Sequence, residues 1–295
     1  MRLTVRVPAS SANLGPGFDC FGLALDLCNE VTVDTESEPG VTWEGEGADE
    51  LPTDGTDMIS RAMAYTVEQQ GAKHPGASIP PVALHGRNVI PLGRGLGSSA
   101  AAAVAGVAIA RVLLGDAGDP ILGPTWTAGL ASMFEGHWDN ATAAALGGFV
   151  IRPGGYRFEL HRDVRVALVV PRHLRVSTEE ARAAVPDPIR LFRAVSNIGN
   201  ASVLAIALTQ RPSLIMGSLQ DMIHEDARIA IVPEVGAVRR RLSEANVPVC
   251  LSGSGPSLLA FELDDSGKIP TDLGPGWEVW RPGINTDGVE VLVED

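Results

Sequence analysis

Three cysteines in 295 residues, Cys20, Cys28 and Cys250, are too few and too scattered to staple a fold, and an odd set of this kind suits a reducing compartment. Basic residues are also scarce, with 23 Lys and Arg against 36 Asp and Glu and a formal net charge of −13. Nucleic acids and anionic membranes both need a basic face, so neither is expected as a partner. An anionic substrate would need a local exception to the global field. Long apolar runs are missing: the longest stretch of small apolar residues, 100–110, stops at Arg111 and falls short of the ~20 residues of a membrane span. Residues 1–8 alternate like a strand and lack the apolar block of a signal peptide, so a cytoplasmic protein is expected. There is no internal repeat and no low-complexity tract. What remains is a globular composition, 45% apolar and 20% charged, long enough for one large or two medium domains.

Glycine (33) and proline (21) gather between short apolar runs, as in an α/β or α+β protein with many turns. Strands are expected at 3–7, 30–34, 82–90, 147–151, 164–170, 247–251 and 258–263, with another at 277–280. Helices are expected at 56–70, capped by Asp54 or Thr56, at 98–114, and at 125–134. Further helices are expected at 178–184, 188–208, 213–225 and 234–245. Pro153-Gly154-Gly155 reads as a joint between two domains, 1–153 and 154–295.

Three loops stand out. The first, Pro8-Ala9-Ser10-Ser11-Ala12-Asn13-Leu14-Gly15-Pro16-Gly17-Phe18-Asp19, follows a strand and combines small residues with the polar groups of Asn13 and Asp19. It suits a ligand approached closely by backbone, but spacing alone reads equally as a long turn. The second is Pro91-Leu92-Gly93-Arg94-Gly95-Leu96-Gly97-Ser98-Ser99, leading into an alanine-rich helix from Ala100 and Ala101. Alternating glycines leave amides unshielded, and the helix start adds partial positive charge, a combination that binds phosphate. No Gly-Lys-Ser/Thr closes the loop and the glycine spacing is not the dinucleotide fingerprint, so neither familiar nucleotide motif applies. Without a lysine, a triphosphate needs a metal, and the Ser99 hydroxyl is a natural Mg²⁺ ligand. The third loop, Leu251-Ser252-Gly253-Ser254-Gly255-Pro256-Ser257, is by itself no more than a strand connection.

The three loops in this order resemble the signature of the GHMP kinase superfamily. The first loop with Gly22, the second loop, and Glu135-Gly136-His137-Trp138-Asp139-Asn140 resemble its homoserine kinase branch, and the match runs over about residues 3–261. The resemblance implies an α+β fold of two domains, an N-terminal ATP-binding domain and a ferredoxin-like C-terminal domain, with the substrate in the cleft between them. It implies phosphorylation of the L-homoserine hydroxyl by ATP with Mg²⁺, in threonine biosynthesis, by a homodimer.

Site roles follow from the same resemblance. ATP would lie against residues 91–101 and Asp57, Mg²⁺ between Ser99 and Glu135, with Gly253, Ser254 and Gly255 as the third glycine loop. Thr178 and Arg182 match the family's Thr-x-x-x-Arg, and Arg228 the second carboxylate-binding arginine. Asp19 would take the ammonium, with Asn13, Asp139 and Asn140 near the hydroxyl and γ-phosphate. Homoserine is a zwitterion with a terminal hydroxyl, and these residues supply an acid, two arginines and a polar clamp. Asp139 could act as general base; because Asn140 stands where mevalonate kinase and galactokinase carry a catalytic aspartate and the homoserine kinase branch carries Asn, the resemblance favours a base-free route, and His137 is read as structural. Two residues depart from the pattern: Trp138 on a substrate wall, and Asp57, where relatives carry Asn. The alternatives are a kinase for another small alcohol of mevalonate, shikimate or pantoate type, and a non-catalytic homologue that binds nucleotide or amino acid.

Overall fold

The computed structural model describes residues 1–71, 76, 78–115 and 123–294. Among the described residues there are two sheets, nine α-helices and a short 3-10 helix at Pro212–Leu214. Along the sequence run β1 (Arg2–Ala12), β2 (Phe21–Asp34), β3 (Gly40–Gly45), α1 (Met58–Gly71), β4 (Ala83–Asn88), α2 (Ser98–Leu113), α3 (Pro124–Glu135), α4 (Trp138–Leu146), β5 (Phe149–Ile151) and β6 (Tyr156–Phe158). Then follow β7 (Arg165–Pro171), α5 (Thr178–Ala183), α6 (Leu191–Thr209), α7 (Ile215–Ser218), α8 (Glu225–Ile231), α9 (Pro233–Glu244), β8 (Val249–Leu251), β9 (Leu258–Glu262), β10 (Trp277–Trp280) and β11 (Glu290–Glu294).

The first sheet has seven strands, in the order β11-β1-β2-β4-β3 with β5 and β6 joined through β2. Leu3, Val5 and Val7 alternate inward on β1, and Pro8 is accommodated at a register shift between Pro8 and Ala9. Helix α2 is buried from Ala100 through Ala110 apart from Ala102. Its small side chains let neighbours approach closely; a Cβ on Gly106 would lie 2.4 Å from the Ile59 carbonyl oxygen on α1. The second sheet is antiparallel, β10-β7-β9-β8.

Several expectations change. Pro153-Gly154-Gly155 is a hairpin turn between the paired strands β5 and β6, both glycines at positive φ, rather than a joint. The C-terminal strand β11 returns to the first sheet beside β1, so residues 290–294 pack with the first half of the chain. Helix α1 is capped by Asp57, not by Asp54 or Thr56: its Oδ1 accepts the amides of Ile59 and Ser60. The stretch at 100–110 lies in a helix too short to cross a membrane, as expected. Among the described residues α6, 19 residues with Arg193 as its sole charge, is long and apolar enough by length and composition only, a length the sequence pattern masks with polar Ser and Asn.

Candidate active site

A single cavity of about 370 Å³ brings the first and second loops together with Glu135, Asp139, Asn140, Thr178, Arg182 and Arg228. Gly93, Gly95 and Gly97 adopt φ of +66°, +70° and +72°, the left-handed region that only glycine occupies without strain. Successive left-handed turns point amides into one concavity, and α2 begins there with no side chain capping it. The first-turn amides of α2 therefore face the cavity as anion donors, with the helix dipole behind them. No lysine lines this cradle among the described residues.

Glycine is compulsory at two of these positions for a second reason. A Cβ on Gly97 would lie 2.1 Å from Ser10 Oγ, and one on Gly95 would lie 2.2 Å from the Ser252 carbonyl oxygen. The third loop therefore backs the second. Ser252 Oγ lies within hydrogen-bond distance of the Gly95 carbonyl (2.8 Å) and of Ser11 Oγ (2.9 Å), and the Gly253 amide donates to Ala12 O. Gly253 and Ser254 line the cavity; Gly255 and Ala100 lie outside its lining.

Ser99 Oγ donates to Glu135 Oε1 at 2.7 Å, and Glu135 Oε2 accepts both the His137 amide and His137 Nδ1. Glu135 ends α3, an unfavourable place for an anion, and the bond from Glu135 raises the pKa of His137. A hydroxyl and a carboxylate held this close are hard oxygen donors that fit Mg²⁺, with His137 fixing the carboxylate from behind. Asp57 lines the cavity, but its Oδ1 and Oδ2 serve α1, so it presents no free carboxylate there. Arg94 turns to the rim, where its guanidinium meets the Arg172 carbonyl and Glu46.

On the far wall Asn13 and Asp19 sit at positive φ (+70° and +55°), a backbone conformation disfavoured for non-glycine residues that marks the first loop as more than an ordinary turn. Asn13 Nδ2 donates to Gly253 O and its Oδ1 accepts the Asp19 amide. Arg182 holds Asp19 in a bidentate pair, 2.6 and 3.1 Å. Arg228 is buried; its Nε donates to Ala181 O and its Nη1 to Gly253 O. Thr178 opens α5 behind a capping box made by Ser177 and Glu180. Gly22 admits the start of α4, since a Cβ would meet Asp139 O at 2.3 Å.

Asp139 is 4% exposed, and burial raises its carboxyl to about 6. Its Oδ1 accepts the Asn140 amide, while Oδ2 has no hydrogen bond among the described residues. Asn140 Oδ1 accepts from Ser10 Oγ at 3.0 Å. Trp138 packs under the Arg152 guanidinium and does not line the cavity, so its departure from the family pattern lies outside the site. Sequence reasoning missed the ring of Phe18, over which both Arg182 and Arg228 lie at 5.4 and 5.2 Å; its position in the first loop was the available signal.

The sequence profile of the GHMP kinase N-terminal domain matches residues 57–148. The chain is 40% identical over 272 residues to homoserine kinase of Mycolicibacterium vanbaalenii, covering 88% of this chain and 85% of that one. It is 37% identical over 306 residues to homoserine kinase of Mycobacterium leprae, covering 96% and 95%. Among solved structures it superposes on a homoserine kinase from Cytophaga hutchinsonii with a TM-score of 0.82 and 28% identity, over 99% of this chain and 97% of that one. A mevalonate kinase at 11% identity shares the fold, with a TM-score of 0.68. The two-lobed α+β architecture is thus the GHMP kinase fold, and the chain belongs to the homoserine kinase family of that superfamily.

Proposed function

We propose that the protein transfers the γ-phosphoryl group of ATP to the side-chain hydroxyl of L-homoserine, giving O-phospho-L-homoserine, the step that feeds threonine biosynthesis in the cytoplasm. The observation that carries this reading is one cavity uniting an uncapped helix start behind three left-handed glycines with an acid and two arginines. The first could hold a triphosphate; the second, a zwitterionic amino acid. Residues 1–153 supply the cradle for ATP, and 154–295 supply both arginines.

Homoserine exchanges the Asp19–Arg182 pair for two contacts of its own, its ammonium on Asp19 and its carboxylate on Arg182 and Arg228, with Thr178 beside it. Asn13 and Asn140 orient the hydroxyl toward the cradle formed by residues 91–101. Ser99 and Glu135 would hold Mg²⁺, which when bound neutralises phosphate charge. Asp139 accepts the hydroxyl proton on Oδ2: a buried carboxyl near 6 is mostly ionised at neutral pH yet basic enough to work, which favours a base over the base-free route preferred from sequence alone. Positioning and charge neutralisation do the rest.

Two copies pair through α6, whose exposed face presents Leu191, Phe192, Val195 and Ile198 toward one end and Val203 and Ile206 toward the other, with Gly199 between. An antiparallel copy would set unlike ends against each other around a two-fold axis.

The test is ADP release measured with Mg²⁺ across homoserine, mevalonate, shikimate and pantoate. Release dependent on homoserine alone supports the assignment; release with another alcohol moves the substrate class. Nucleotide binding without turnover on any of them would make the chain a non-catalytic homologue.

A further inference from the structure

We propose that His224 is a positioning residue for the amino-acid end of the cavity, a neutral imidazole that ties the first loop to Arg228. His224 precedes α8 and is fully buried. Its Nε2 lies 3.0 Å from the Gly15 carbonyl oxygen, which only accepts, so Nε2 carries the proton and donates. Its Nδ1, 3.2 Å from Arg228 Nη1, is then the acceptor for the guanidinium. One ring thus completes two bonds that only the neutral Nε2–H tautomer makes together. An imidazolium would turn a second N–H toward the cation.

The surroundings enforce that state. Burial lowers His224 to about 4, with Arg228 acting in the same direction, against the opposing pull of Asp221 and Asp19 and of the Gly15 bond. Asp221 Oδ1 lies 3.7 Å from Nε2, too far for a hydrogen bond, while Asp221 Oδ2 collects the amides of Ile223, His224 and Glu225.

What the ring holds is the substrate loop. Gly15 sits at φ +74° with no room for a side chain, a Cβ meeting Leu219 O at 2.6 Å, so the loop passes close against the second lobe there. The next carbonyl, Pro16 O, accepts from Asn197 Nδ2 on α6. Two residues further on, Phe18 stacks on the His224 ring at 4.9 Å and 22°, and both arginines lie over Phe18. His224 therefore supports Arg228 directly, and supports Asp19 and Arg182 through Phe18. It touches neither the phosphate cradle nor Asp139.

This inference rests on the cavity being the homoserine site. It predicts a specific kinetic signature. His224→Leu, which keeps bulk but makes neither bond, should raise KM for homoserine at least tenfold, leaving kcat within about threefold and KM for ATP unchanged. His224→Asn retains an acceptor near Nδ1 and His224→Gln a donor near Nε2, so each should fall between wild type and His224→Leu. Should the leucine variant not fold, ¹⁵N-histidine NMR of the wild-type protein still decides: the His224 ring should stay in the neutral Nε2–H form from pH 5.5 to 8. An unchanged homoserine KM in all three variants, equal loss in kcat, or a ring that titrates in that range would overturn the proposal. Wild-type protein inert toward homoserine would overturn the functional reading instead, and the NMR result would still report on the ring.

Discussion

Replacing Asp139 by asparagine separates what the carboxylate does for the fold from what it does for the reaction. The group is almost fully buried at the start of α4, and burial, reinforced by repulsion from Asp19, lifts its pKa from 3.8 to about 6 against the opposing effect of the Asn140 amide. The folded protein therefore holds this proton more tightly than the unfolded chain does. Below about pH 4 both states are protonated and the group costs nothing. As pH rises toward 6 the unfolded chain ionises first, so stability falls through that window. Above it the buried charge costs up to about 3 kcal/mol, at ~1.4 kcal/mol per pH unit. Asparagine keeps the shape and removes the charge. Without nucleotide or magnesium, Asp139→Asn should melt about 5 °C higher than wild type at neutral pH, and the gain should vanish near pH 4. Turnover should move the other way, down roughly 10²–10⁴-fold with KM for homoserine little changed. Melting curves from pH 4 to 8 and coupled ADP release read both effects. A variant that is less stable at every pH refutes the burial argument, and one that turns over at the wild-type rate restores the base-free route.

Arg182→Met should leave the fold nearly intact, because the Asp19–Arg182 pair is partly exposed on both sides and such pairs contribute ~0–1 kcal/mol. KM for homoserine should rise on the order of 30-fold, whereas for 3-amino-1-propanol, which has no carboxylate, the same substitution should change little; equal effects on the two would place the carboxylate elsewhere. Gly95→Ala, forced into a left-handed φ against the Ser252 carbonyl, should weaken ATP binding at least tenfold by calorimetry while homoserine binding persists. Ile198→Glu, in the middle of the exposed face of α6, should convert a dimer to a monomer by light scattering, and a wild-type protein that is monomeric at micromolar concentration would remove that interface.

The periodic elements were legible because local pattern determines them. Helix α2 and strand β10 fall within a residue of expectation, the first from an alanine run stopped by glycine, the second a short aromatic and β-branched segment in a Gly- and Pro-rich tail. The errors have local causes as well. The helix expected at 213–225 shrinks to Ile215–Ser218 because Asp221 gathers the amides of Ile223, His224 and Glu225 and starts α8 anew. Strand β3 lies mostly exposed, with two glycines, a threonine and a glutamate among its six residues, and carries little hydrophobic signal. No local pattern announces that β11 pairs with β1 almost 290 residues away; that contact depends on the whole tertiary arrangement.

The candidate site divides along the same line. The phosphate cradle was legible because its chemistry resides in the backbone, and glycine spacing reports backbone conformation directly. The amino-acid end was legible only in part, because its chemistry depends on which side chains meet. Asp19 and Arg182, separated by 163 residues, were assigned to opposite ends of a zwitterion, and in the structure they pair with each other. Under the proposed function the two statements are compatible. A site complementary to a molecule carrying both charges must itself carry both, close enough together to attract. On the proposed function homoserine would part the acid and the arginine, so the exposed, low-cost ion pair is the part of the cavity that binding would break. The buried contacts around it, from Gly253 O to Asn13 and Arg228, are the part that stays fixed.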